Sequence, residues 1–235
     1  MNIPAFTLLD LWETGASYTN AARPAALLAI STGESFDVAA LLPLGQRDAG
    51  LLKCYEYFAG KHLTALTNCR QCESSVELDF ETNDVSYAVA QDVEVCVKEE
   101  GWELTWRLPN TVDFCHAAEA GAVDAAKKIL LDRCLTSFSD EPKNSPPEHL
   151  VAKLMHRAAA VDPQSEAKLD ITCPDCGSEW HAPFEIGAYF WSRIQTEALR
   201  LISEVSQLAE TYSWSEAEIL AMSPARRSAY LQLAR

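Results

Sequence analysis

The sequence predicts an α+β protein, mostly helical, in which two zinc-knuckle β-hairpins form a small ribbon and a separate β-hairpin lies in the insertion between them. Three observations predict this. Apolar residues recur at helical spacing at both ends of the chain, two Cys-x-x-Cys pairs are each framed by alternating apolar residues, and a Val-rich stretch between the pairs alternates strictly.

The N-terminal region, residues 1–60, reads as three helices. Leu8, Leu9, Leu11 and Trp12 form a short apolar stretch that should end near Gly15. Thr19 or Asn20 can cap a second helix with Pro24 in its first turn and Ala26, Leu27 and Ile30 along one face. A third should start after Gly45 and run through Leu51, Leu52, Tyr55 and Phe58 to Gly60, a natural residue to follow a helix. The charged start of that helix, Gly45-Gln46-Arg47-Asp48, is explained by an acid placed near a helix N-terminus.

Residues 61–82 form the first knuckle hairpin, with strands expected over 62–68 and 75–80 around Cys69 and Cys72. Residues 83–165 form an α/β insertion. In it Val93, Val95 and Val97, a turn at Glu100-Gly101, and Trp102, Leu104 and Trp106 spell a hairpin. Helix follows from Thr111 through Leu135, broken at Gly121; residues 137–147 form a flexible loop; a further helix covers 148–160 and ends at Asp162-Pro163. Residues 166–185 carry the second knuckle, Cys173 and Cys176. Residues 186–235 begin with one long helix to Tyr212. The tail then holds a capping box, Ser215 with Glu218, with Trp214 and Ile219 as its hydrophobic staple, and Ser223-Pro224 starts a last helix.

The cysteine pairs repeat in register. Cys69 and Phe80 stand 104 positions before Cys173 and Phe184, respectively. A Cys-x-x-Cys turn points both sulfurs to one side, and two such turns facing each other complete a tetrahedral four-sulfur site for zinc, Zn2+. Gly177, directly after Cys176, suits a knuckle turn. The other readings are a redox pair, which needs one such motif at a strand-to-helix junction, and unmetallated core cysteines. His181 could replace a cysteine, although on the outgoing strand it reads first as a surface side chain. Cys69, Cys72, Cys173 and Cys176 are therefore the expected metal ligands. Their site would be structural, stapling distant segments around the insertion.

Composition narrows the function. The chain has 235 residues, long enough to bury roughly 70% of its unfolded surface without help, so a metal here organises one region. Net charge is −15 and basic residues cluster no further than pairs such as Arg226-Arg227, which argues against a nucleic-acid partner. No apolar run suits a membrane span, and the first residues lack the basic start of a signal peptide, so a cytoplasmic location with reduced thiols is expected. Cys54, Cys96, Cys115 and Cys134 read as buried, inert thiols. Cys115 and His116 are helix neighbours that point apart, and His149 and His156 share a helical face as solvated side chains. No phosphate-binding loop, nucleophile elbow or zinc-protease motif occurs, so no enzyme is expected.

Several segments carry a family resemblance. Leu42-Pro43-Leu44-Gly45-Gln46-Arg47-Asp48-Ala49-Gly50-Leu51-Leu52 with Cys69-x-x-Cys72 and Val76-Glu77-Leu78-Asp79-Phe80 resembles the baseplate hub assembly proteins of contractile phage tails and phage-derived contractile injection systems. So do residues 172–184, and the tail from Tyr212 to Leu220 with Ser223-Pro224-Ala225-Arg226-Arg227-Ser228-Ala229-Tyr230-Leu231. The first knuckle departs from the family's usual Cys-Pro-x-Cys-Gly, reading Cys-Arg-Gln-Cys-Glu. The resemblance implies a non-catalytic chaperone or component of the baseplate hub or spike, made in the cytoplasm of the producing cell and either released or carried into the particle. Its implied partner is a hub or spike protein, with neither nucleic acid nor membrane. Trp214, Arg226, Arg227, Tyr230 and Leu231 are the expected partner-binding tip. The alternative reading is a zinc-ribbon nucleic-acid or transcription-associated binding module.

Overall fold

Helices from both ends of the chain build one core in the computed structural model, which describes residues 3–139 and 146–233. The chain runs α1 (Ala5–Ser17), α2 (Arg23–Thr32), α3 (Phe36–Leu41) and α4 (Leu44–Ala59), then the hairpin β1 (His62–Asn68) and β2 (Ser75–Glu81). The insertion holds β3 (Glu94–Glu99), β4 (Trp102–Arg107), α5 (Thr111–Ala118), α6 (Val123–Cys134), β5 (Leu135–Ser139) and α7 (Glu148–Val161). The second hairpin, β6 (Lys168–Thr172) and β7 (Glu179–Pro183), leads into α8 (Ile186–Tyr212), α9 (Glu216–Leu220) and α10 (Pro224–Leu233). The α+β class is as expected from the sequence.

The N-terminal and C-terminal regions are not separate units. Leu11, Leu27, Leu51 and Tyr55 bury against Phe190, Ile194 and Ala198 of α8, with Leu63 and Phe80 of the first hairpin closing the same core. Apolar residues of α8 recur every third or fourth position, so one face of its 27 residues is continuous and seats α1, α2 and α4. The first helix ends at Ser17, near Gly15 as expected, with Gly15 inside its last turn. A Cβ there would come within 2.4 Å of the Trp191 ring, so the glycine permits close packing of α1 on α8. Thr19 caps only the turn ahead of α2, whose N-cap is Ala22. The short α3 was not foreseen. Six residues are under two turns, too few for a periodic signal, and its Ser35 cap is the one local cue.

The insertion has its own core, with Val95, Val97, Leu104 and Trp106 of the sheet against Leu150, Leu154 and Ala158 of α7. Its sheet has three strands in the order β3-β4-β5, where a two-stranded hairpin was expected. Leu135 leaves the helix at Cys134 and pairs with Trp106, and Ser139 pairs with Trp102. Helical and strand readings of so short an apolar run cannot be separated by periodicity, and the open edge of β4 decides. Of the loop expected over 137–147, residues 137–139 are strand, and 140–145 lie outside the described residues.

The Gly45-Gln46-Arg47-Asp48 segment does more than begin a helix. Leu44 N–H donates to the Pro109 carbonyl at 3.0 Å. Gly45 N–H donates to Asp162 Oδ2 at 3.1 Å, Gln46 Nε2 to the Ala90 carbonyl at 3.0 Å, and the Arg47 guanidinium to Thr111 Oγ1 at 3.1 Å. Successive residues at the start of α4 thus reach four separate points of the insertion and hold it on the helical body. Asp162 acts as a helix cap supplied from 117 residues away. At the insertion's other end, the Gln164 side chain accepts from Tyr87 N–H and donates to the Val85 carbonyl, joining its entry to its exit.

Inside the insertion, Asp113 is buried and takes Arg107 at 2.9 Å and Arg133 at 2.8 Å while closing a capping box with Asn110. Burial alone would raise its pKa, but the two arginines and the Asn110 backbone outweigh it and hold the carboxyl at about 2.

Two predictions follow from this architecture. A Cβ at position 45 would lie 1.9 Å from Asp162 Oδ1, so Gly45→Ala must displace the cap. Chemical denaturation should show a loss of about 2 kcal/mol, and hydrogen exchange should rise through residues 86–165. Because the folded Asp113 pKa lies below its unfolded value of about 3.9, its stabilising contribution is complete above that pH and lost as pH falls through about 2. Acid titration followed by Trp102 and Trp106 fluorescence should show this step, and Asp113→Asn should abolish it.

Candidate metal centre

Each knuckle grows from a two-stranded antiparallel hairpin. In the first, Leu63 pairs with Phe80 and Asn68 with Ser75; in the second, Leu169 pairs with Ala182 and Thr172 with Glu179. Displacing the first register by 104 residues reproduces the second, so the internal echo in the sequence is an echo of backbone structure. The turn hydrogen bonds match as well. Cys69 N–H donates to the Ser74 carbonyl and Glu73 N–H to the Cys69 carbonyl; Cys173 N–H donates to Ser178 and Gly177 N–H to Cys173.

The two hairpins meet tip to tip. The Sγ atoms of Cys69, Cys72, Cys173 and Cys176 all lie within 4.8 Å of one another. Cys69 and Cys176 are 3.6 Å apart, as are Cys72 and Cys173. Four sulfurs at about 2.3 Å from a central ion, tetrahedrally placed, would be separated by about 3.8 Å. The site therefore fits a metal ion, and all four expected ligands are brought together. A small apolar cluster, with Val76, Ile171 and partly buried Trp180, supports it from below. Phe80 and Phe184, the matched positions at the hairpin bases, pack edge to face with centroids 5.5 Å apart.

Within each pair the first cysteine is buried and the second exposed, so Cys69 and Cys173 face inward while Cys72 and Cys176 face solvent. Ser74 Oγ lies 2.8 Å from the Cys72 sulfur and, as a donor, lowers its pKa. Backbone N–H groups of Cys176 and Asp175 favour the thiolate at Cys173, which drops to about 6. Cys176 is favoured as thiolate by the Ser178 N–H, yet desolvation and its three neighbouring sulfurs push its pKa up.

His181 is not a ligand. It is exposed on β7 and pairs across the hairpin with Asp170. Of the remaining cysteines, Cys134 is buried, Cys54 and Cys115 are half-buried, and burial raises all three pKa values away from the reactive thiolate form. Cys96 departs from expectation. It points from the exposed face of β3, beside Thr105 Oγ1 at 3.3 Å, because the strand's alternation buries Val95 and Val97.

The expected partner-binding tip needs one correction. Arg227 is buried, not exposed: its Nε meets Glu204 at 3.1 Å and its guanidinium donates to the Met222 carbonyl, fastening α10 to α8. A charged side chain is buried here because both partners are present. Trp214 stacks on Tyr212 at 4.5 Å and meets Tyr230 edge-on, and Arg226 lies over the Tyr230 ring. Leu231 is half-buried. The capping box of Ser215 and Glu218 is present as expected.

A scan against protein-family models, a search of curated proteins and a search of solved structures each found no match. No helix among the described residues is long and apolar enough to cross a membrane.

The two knuckles share a left-handed residue at the same turn position but fill it differently. Gly177 has φ 72°, and its counterpart Glu73 has φ 60°, a left-handed conformation that costs a side-chain residue about 1 kcal/mol. Glu73→Gly should raise the stability of the metal-loaded protein by about 0.5–1 kcal/mol in thermal denaturation and slow metal loss to a chelator. Lowered stability would show that the Glu73 side chain, not the turn, matters at this position.

Proposed function

We propose that this chain is a non-catalytic assembly protein, a chaperone or component of the baseplate hub or spike of a contractile phage tail or related injection system, stapled internally by zinc. The observation that carries the staple is the closed shell: four sulfurs converge within 4.8 Å, which leaves a tetrahedral ion no open position for water or substrate. Sulfur-only ligation favours soft or borderline ions over magnesium or calcium, and one tetrahedral set for one ion suits zinc.

The assembly role is supported by the resemblance of residues 40–80 and 165–235 to baseplate hub assembly proteins. Those segments include the residues that latch the insertion, both knuckles and the capped helical tail. Net charge −15 favours a partner with a basic protein surface over a polyanion. Synthesis in the cytoplasm of the producing cell follows from the same reading, and reduced thiols there are the form that binds metal.

One purification tests both parts. Tagged protein from cells carrying a contractile-tail operon should contain one zinc ion per chain by elemental analysis and should retain a hub or spike protein through washing. Cys173→Ser should cut zinc content to less than about a tenth and destabilise both hairpins. Zinc without any tail component would sink the assembly role; a tail component without metal would sink the staple.

A further inference from the structure

The pairing of sulfurs across the hairpins is not random with respect to exposure. Each 3.6 Å pair joins one exposed sulfur to one buried sulfur from the opposite knuckle: Cys176 with Cys69, and Cys72 with Cys173. We infer that these four residues are also a modification site, at which peroxide converts the metal centre into two cross-hairpin disulfides, Cys69–Cys176 and Cys72–Cys173, that hold the same two chain segments together. This rests on the zinc reading for the starting state, while the pairing itself rests on the sulfur positions alone.

The chemistry divides according to access. Peroxide reaches the exposed Cys72 thiolate, whose sulfur attacks one oxygen; the O–O bond breaks, hydroxide leaves as water after protonation, and Cys72 becomes a sulfenic acid. The buried Cys173 sulfur, 3.6 Å away, then attacks the Cys72 sulfur, and the sulfenic oxygen departs as a second water. Cys176 and Cys69 repeat the sequence. Two peroxides and four protons are consumed, four thiolates are oxidised to two disulfides, four waters form and the metal ion is released. A Cys69–Cys72 or Cys173–Cys176 bridge would instead close a loop within one knuckle and leave the hairpins unjoined. The two 3.6 Å contacts both run between the hairpins, so bridges formed at them preserve the staple.

The test uses purified full-length protein, its metal content measured first, treated with a small excess of hydrogen peroxide. Zinc release is followed with a colorimetric chelator, and disulfides are mapped without reduction. Trypsin cuts after Arg70 and separates Cys69 from Cys72, and cleavage before Asp175 separates Cys173 from Cys176, so every pairing gives a distinct mass. The expected result is linkage of 69 to 176 and of 72 to 173. Oxidised, metal-free protein should keep most of the melting temperature of the zinc form, whereas reduced, metal-free protein loses it. In Cys72→Ser, only the 69–176 link should form. Bridges within the knuckles, or sulfinic acids in place of disulfides, overturn the inference. Cross-hairpin bridges in protein isolated without metal would uphold the pairing and overturn the zinc reading.

Discussion

Four cysteine sulfurs lie within 4.8 Å of one another, and as four thiolates they would repel too strongly to coexist without a cation among them. Two like charges about 4 Å apart cost about 4 kcal/mol at the effective dielectric near a protein surface, and four sulfurs make six such pairs. The fold nonetheless holds them there, by matched hairpin registers and matched turn hydrogen bonds. A cluster assembled against its own electrostatics needs compensation, and a doubly charged ion at its centre would supply it. Everything between residues 82 and 167 would then hang from a base whose geometry such an ion sets.

Much of this was legible in the sequence because it is local or repeated. The long helix α8, both knuckle hairpins and the Ser215 capping box follow from periodicity and turn chemistry acting within a few residues. The four-cysteine cluster was legible for a different reason: the two cysteine pairs carry the same short pattern, so their association could be read without knowing the path between them. What escaped was decided at long range. Strand β5 exists because β4 presents an unpaired edge, and α3 because its neighbours bury Ala39 and Ala40.

The Gly45-Gln46-Arg47-Asp48 segment shows this most clearly. A helix-dipole explanation for its acid was sufficient locally and incomplete globally. Asp48 is buried against Arg47, and burial raises its pKa while the arginine lowers it. Arg47 in turn spans to Thr111, and Gly45 is required because an aspartate from the far side of the insertion occupies the space of a Cβ. Nothing within ten residues of Gly45 signals that approach. Arg227 was misread for a similar reason, since its partner Glu204 lies on another helix.

Latch and staple answer different problems. The helical body and the insertion have separate hydrophobic cores, so non-directional burial alone fixes neither the angle nor the distance between them. Hydrogen bonds are directional, and those radiating from the first turn of α4 set orientation while each contributes only about 1 kcal/mol net. A loop of roughly a hundred residues between the two knuckles carries a large closure entropy in the unfolded chain, and a crosslink at its base removes that freedom. A metal crosslink among the sulfurs would therefore contribute where the latch is weakest, in holding the ends of the insertion together. The latch contributes where a crosslink is weakest, in stopping the insertion from pivoting about its base.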